Sequence, residues 1–157
     1  MIEPPAHVAT SDCEHVRPGL IGQPANTVSS LGFVAAGVAI TRIARRRGRP
    51  AWRAVAVAAA VEGLGSVAYH GPGGTWSKRL HDAGLVALFA SLLAASLTEH
   101  PLRPPSRRTA ALTTAAVALH SLSRTGGPLC ACRSPLQGHA LFHLLAAAAL
   151  VSAARDA

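Results

Sequence analysis

Residues 52–70 read WRAVAVAAAVEGLGSVAYH. Past Arg53 the stretch carries one carboxylate, Glu62, and one imidazole, His70; almost everything else in it is Ala, Val, Leu or Gly. A helix that is apolar all round belongs either deep in a core or in lipid. Further apolar stretches stand at about 27–42, 82–98, 109–122 and 138–154. Their lengths, roughly 15 to 19 residues, approach the ~20 needed to cross a bilayer. A soluble Ala-rich bundle would need a water-facing stripe on each helix, and none shows one. A chain of 157 residues cannot bury five such helices in its own interior. The expected architecture is therefore all-α: one membrane-embedded domain over 1–157, with about five transmembrane helices and an N-terminal segment, 1–25, outside the spans.

Composition agrees. Half of the residues are apolar, 14% are charged and 4% are aromatic, so whatever is buried is built from small aliphatic side chains. Lys and Arg number 15 against 7 Asp and Glu. Nucleic-acid binding would gather that excess on one face or stripe, whereas here the charges fall between apolar stretches, so no nucleic-acid partner is expected. Ten of the fifteen fall on the side opposite the N-terminus: Arg42, Arg45, Arg46, Arg47, Arg49, Arg53, Arg103, Arg107, Arg108 and Arg155. Arg17, Lys78, Arg79, Arg124 and Arg133 fall on the N-terminal side. By the positive-inside rule the first side is cytoplasmic. The expectation is a multi-pass cell-membrane protein with its C-terminus in the cytoplasm. Residues 1–25 are polar and contain prolines, which does not suit a cleavable signal peptide; the first span would direct insertion. Trp52 and Trp76 fall near span ends, where indole rings favour the interface.

Three polar patterns interrupt this apolar background: Ser66 with His70 in GLGSVAYH, Asp82 in LHDAG, and His139 with His143 in HALFH. The i, i+4 spacing puts both members of each pair on one face of a helix. With five spans, all five groups fall at one depth on the N-terminal, extracytoplasmic side. Singly, each has a bland reading: Ser66 can bond the carbonyl four residues back, and His70 can be an interfacial helix-end histidine. An HxxxH pair is stronger, since that spacing lets two imidazoles reach one metal ion. Glu62, one turn before Ser66, extends the same face toward the bilayer centre, either to relay protons or to hydrogen-bond Ser29 or Ser30. His120 could support the mouth of the site. Cys13, Cys130 and Cys132 all fall on the same outer side, where a disulfide is permitted. A bridge from Cys13 to Cys130 or to Cys132 would tie the N-terminal segment to the loop before the last helix and leave one thiol over.

The ordered set Cys13-Glu14, NTVSSLGF from Asn26, GLGSVAYH, Asp82 and HALFH resembles the alkaline ceramidase family and the wider CREST superfamily of membrane hydrolases. The resemblance covers most of the chain. It implies a zinc-dependent hydrolase that cleaves a linear amide, that of an N-acyl lipid, by attack of zinc-bound water. His70, His139 and His143 would hold Zn2+ and leave a fourth position open for that water. Asp82 would be the general base and could return that proton to the leaving amine, and Ser66 would orient the water or donate to the oxyanion. Glu14 and Asn26 of the N-terminal motifs would stand behind them; Glu62 and His120 have no counterpart in the family pattern and would be supporting residues at most.

The chain departs from that family in its span count and its N-terminal cluster, and His81 and Ala83 flank Asp82 where the family usually has Leu and Glu. Its members usually have seven spans, and only one helix is expected here between Asp82 and His139 where three are usual. This would be a shortened version of a seven-helix fold, whose open wall could be met by a smaller substrate or by a homodimer. Animal members also carry an acidic N-terminal cluster resembling a calcium site; Gln23 stands where a carboxylate would be needed, so calcium is not expected. A lipid esterase, or a metal-binding or receptor-like membrane protein without turnover, would use the same three histidines.

Overall fold

The computed structural model describes residues 9–99 and 104–157. Arg103 and residues 1–8 of the N-terminal segment lie outside the described residues. Five helices follow in order: α1 (Pro24–Arg47), α2 (Ala51–His70), α3 (Thr75–Glu99), α4 (Arg107–Leu122) and α5 (Gly138–Asp156). There is no strand among the described residues. α1, α2, α3 and α5 are long and apolar enough to cross a membrane. α4 has 16 residues, about 24 Å at 1.5 Å per residue, and is shorter than a hydrocarbon core.

The helices begin and end where backbone chemistry requires. Pro24 starts α1, at a position whose N–H has no helical partner in any case. The carboxylate of Glu14 takes up two of the next free donors, the N–H groups of Ala25 (2.9 Å) and Asn26 (2.8 Å). Gly48 ends α1 in the left-handed conformation, φ 64°. Ser106 caps α4, its Oγ accepting from the N–H of Thr109. α3 starts at Thr75, seven residues before the apolar stretch expected at 82, because the break lies in Gly71-Pro72-Gly73-Gly74 and the polar turn after it is already helical. Hydropathy cannot register a helix start made of Thr, Lys and Arg.

α1 is the centre of the bundle. α2 and α5 pack along it, α3 packs on α2, and α4 packs on α5. The spatial order is thus α3–α2–α1–α5–α4, a curved row with two open edges. Small residues bring the backbones close: a Cβ on Gly37 would lie 2.6 Å from the carbonyl oxygen of Ala56, and one on Gly63 would lie 2.9 Å from the amide nitrogen of Val34. Phe33, Ile40, Trp52, Val55 and Leu88 fill the interior with a background of alanines. Trp52 is therefore a core residue, not an interfacial anchor, whereas Trp76 at the start of α3 is exposed. The outward side of α3 presents Val86, Phe89, Leu93 and Leu97, each more than 60% exposed. Such a run needs lipid or another apolar cover.

The two ends of the bundle differ. At one end α1 finishes in arginines, and polar contacts join neighbouring helices: Glu99 accepts from the N–H of Ala51, and Asp156 accepts from the hydroxyl of Thr109. At the other end the N-terminal segment is laced to the 123–137 loop. Cys13 and Cys130 form a disulfide, His15 N–H donates to the carbonyl of Cys132 (2.9 Å), and Thr125 N–H donates to that of Ser11 (2.9 Å). Cys132 is the leftover thiol and is exposed.

Candidate metal centre

The C-terminal residue of α2 and the first turns of α5 meet at the laced end. His70, His139 and His143 are all buried, and one ring nitrogen from each lies within 4.8 Å of the other two. Their ring centroids are 5.2 Å (70–139), 5.2 Å (70–143) and 4.5 Å (139–143) apart. Nitrogens around a tetrahedral ion with bonds of 2.0–2.1 Å are about 3.3 Å from one another. Small side-chain rotations would close that difference, so these three histidines could hold a metal ion.

Hydrogen bonds behind the rings decide which nitrogen is offered. Gln23 spends both amide N–H groups on carbonyls, those of Ala9 (2.8 Å) and Glu14 (2.8 Å). Its Oε1, 2.7 Å from His70 Nδ1, can only accept. His70 is thereby the Nδ1–H tautomer, with its lone pair on Nε2. The same logic holds at His143. Ser29 Oγ donates to the carbonyl of Asn26 (3.0 Å), which leaves it to accept from His143 Nδ1 at 2.9 Å. Partners of this kind fix ligand orientation and tautomer in metal sites. At His139, Nδ1 is buried without a hydrogen bond, and Asp12 Oδ1 lies 3.9 Å away. Burial raises the Asp12 carboxyl above its ordinary range.

Ser66 is fully buried on the α1 side of the cluster. Its Oγ is 2.8 Å from that of Ser30, which in turn is 3.4 Å from His143 Nδ1. Asn26, also fully buried, donates from Nδ2 to Gln23 Oε1 (3.3 Å). Glu14 holds the start of α1, and its carboxylate is occupied with those backbone donors. The His120 ring packs at a tilt against His139 (centroids 5.5 Å) and Phe142 (4.7 Å).

A cavity of about 420 Å³ opens beside the histidines, between the two edge helices α3 and α4. His139, His143, Asp82 and His120 contribute to it, with Phe89 and Phe142 among its apolar walls. Asp82 is about half exposed, and its carboxylate makes an ion pair with Lys78 at 2.5 Å. Glu62 is 1% exposed and faces α3, where its Oε1 lies 2.7 Å from His81 Nδ1. Its partner is thus His81 and not Ser29 or Ser30: Glu62 turns toward α3, whereas Ser29 meets His143 and Ser30 meets Ser66, one turn further along α2, and His143. Sequence reasoning did not find Gln23 as a support of His70, and it noted His81 only as a departure from the family pattern, without a role. A histidine next to a motif aspartate, at the level of a buried glutamate on the preceding helix, was the signal for the second of these.

The chain matches no family model, no curated protein and no solved structure.

Proposed function

We propose that the protein is a zinc-dependent membrane hydrolase that cleaves a linear amide bond, that of an N-acyl lipid. The observation that carries this reading is the set of three buried imidazoles, two with tautomers fixed so that Nε2 is offered, beside an apolar cavity that opens sideways between α3 and α4. The donor set suits zinc, which accepts neutral imidazole and keeps an open position in catalytic sites. When bound, zinc supplies Lewis acidity to a carbonyl and to water. The cavity volume lies in the lower part of the range of ligand pockets, about 300–1,000 Å³. α3 and α4 line the cavity from opposite sides without packing on each other, and a gap between them would admit a substrate from within the bilayer, the acyl chain along the aromatic walls and the amide at the polar end.

The role of Asp82 follows the resemblance to alkaline ceramidases: on the cavity wall, it takes the proton of the attacking water. Ser66, to which the resemblance gives the water or the oxyanion, is fully buried with its Oγ on Ser30, and in this reading the pair holds the His143 side of the site in place. The disulfide beside the site favours an oxidising, extracytoplasmic compartment at that end. The arginines around the opposite end favour the cytoplasm there.

Elemental analysis of detergent-purified protein, wild type against a His70→Ala, His139→Ala, His143→Ala triple variant, tests the site. The expected result is about one zinc per chain, absent from the variant, with hydrolysis of an N-acyl lipid in the zinc-loaded wild type only. Absence of zinc from a wild type supplied with it would make the cluster structural. Zinc without hydrolysis would favour a sensor or receptor-like protein.

A further inference from the structure

Amide hydrolysis needs a proton on the departing nitrogen as well as a base for water, and the cavity wall holds a buried pair that the reading above does not use. Glu62 on α2 is almost wholly buried, with Oε1 against His81 Nδ1 (2.7 Å) and Oε2 without a hydrogen-bond partner among the described residues. The pairing is packed tightly: a Cβ on Gly84 would fall 2.6 Å from Glu62 Oε2, and one on Gly65 would fall 3.0 Å from His81 Cα. The His81 ring stacks on Tyr69, centroids 4.9 Å apart and planes 17° apart. Tyr69 in turn sets its edge against His70. Ring position is therefore fixed from two sides. His81 lines the cavity that His139, His143 and Asp82 also line, and since its Nδ1 is sealed against Glu62, Nε2 is the nitrogen that the cavity reaches. A buried carboxylate behind one imidazole nitrogen, with the other nitrogen facing a reaction space, is the arrangement of an oriented proton carrier.

We propose that His81, positioned by Glu62, donates the proton to the amine nitrogen as the C–N bond breaks. This rests on the amide-hydrolase reading. The oxygen of water bonds to the carbonyl carbon as its proton passes to Asp82. The C–N bonding pair goes to nitrogen, which takes the Nε2 proton of the His81 imidazolium and leaves a neutral ring with Nδ1–H toward Glu62. The proton gained by Asp82 replaces the one lost by His81, so both groups are restored.

An ester with a good leaving group separates this role from any other, because a p-nitrophenolate departs without a proton. The test compares a fatty N-alkylamide with the p-nitrophenyl ester of the same acid, on zinc-loaded full-length protein. His81→Asn should retain zinc and lose about 100-fold or more in amide turnover while ester turnover stays within about threefold. Glu62→Gln should lower amide turnover alone, and it carries the same test if His81→Asn fails to retain zinc. Independently of activity, 15N NMR of the metal-free protein should show His81 with a proton on both ring nitrogens, Nδ1 toward Glu62 and Nε2 toward the cavity, and Glu62→Gln should lose that doubly protonated form. Amide turnover unchanged in His81→Asn, or amide and ester falling together, overturns the role of His81 alone. No turnover of either compound by the zinc-loaded wild type overturns the hydrolase reading and this role with it.

Discussion

Gln23 Oε1 meets His70 Nδ1 at 2.7 Å, and the amide making that contact has both of its own N–H groups committed to backbone carbonyls. Gln23 cannot turn over, so it is a fixed acceptor. Replacement by Leu removes the acceptor and leaves a buried N–H unpaired. Gln23→Leu should weaken zinc binding by about 10–100-fold, read as a shift in competition with a chelator, while the far-UV helix signal stays unchanged. Unaltered affinity would mean that His70 is oriented without Gln23.

Thiol chemistry should report the loop connection directly. Without reductant a maleimide should label one cysteine, Cys132, and after reduction it should label all three. Cys13→Ser should lower stability by about 2–4 kcal/mol, because the bridge closes a long loop and constrains the unfolded chain. A thermal scan of the detergent-solubilised variant against wild type measures this.

At Gly84 the prediction concerns packing. A methyl group there meets Glu62 Oε2 at 2.6 Å and Glu62 Cα at 2.9 Å, and the second of these is backbone that cannot rotate away. Gly84→Ala should cost about 1–3 kcal/mol through overpacking between α2 and α3 and should lower Tm. An unchanged Tm would mean that α3 can move off α2 at no cost.

The Lys78–Asp82 pair should matter little to folding. Both side chains are about half exposed, and exposed pairs of this kind contribute about 0–1 kcal/mol. Lys78→Ala should leave Tm nearly unchanged. Asp82→Asn should retain its zinc, since the carboxylate is outside the ligand set; loss of the ion in that variant would place Asp82 among the ligands.

The five helices and the meeting of His70 with His139 and His143 were legible in the sequence. Apolar length marks a helix for lipid, and i, i+4 spacing fixes a common face. Depth then followed from counting helices. What could not be read was lateral order. Hydropathy says nothing about which helix neighbours which, so the position of α1 between α2 and α5, and with it the use of Ser29, Ser30 and Gln23 behind the histidines, was out of reach. The Glu62–His81 contact depends on the same information. The start of α3 was misplaced because its first turns are polar, and the choice of Cys130 over Cys132 depends on a loop path that no periodicity encodes.

The row α3–α2–α1–α5–α4 gives the histidine cluster a mechanical meaning. α2 and α5 both lean on α1 and barely touch each other, yet one ligand comes from α2 and two from α5. An ion held by all three would act as a clasp between the two wings of the molecule, α2 with α3 on one side and α4 with α5 on the other. Spacing between the wings, and so the width of the slot between α3 and α4, would then be set by the ion and by the disulfide at the same end. The opposite end would remain free to splay. Loading the metal would stiffen the slot.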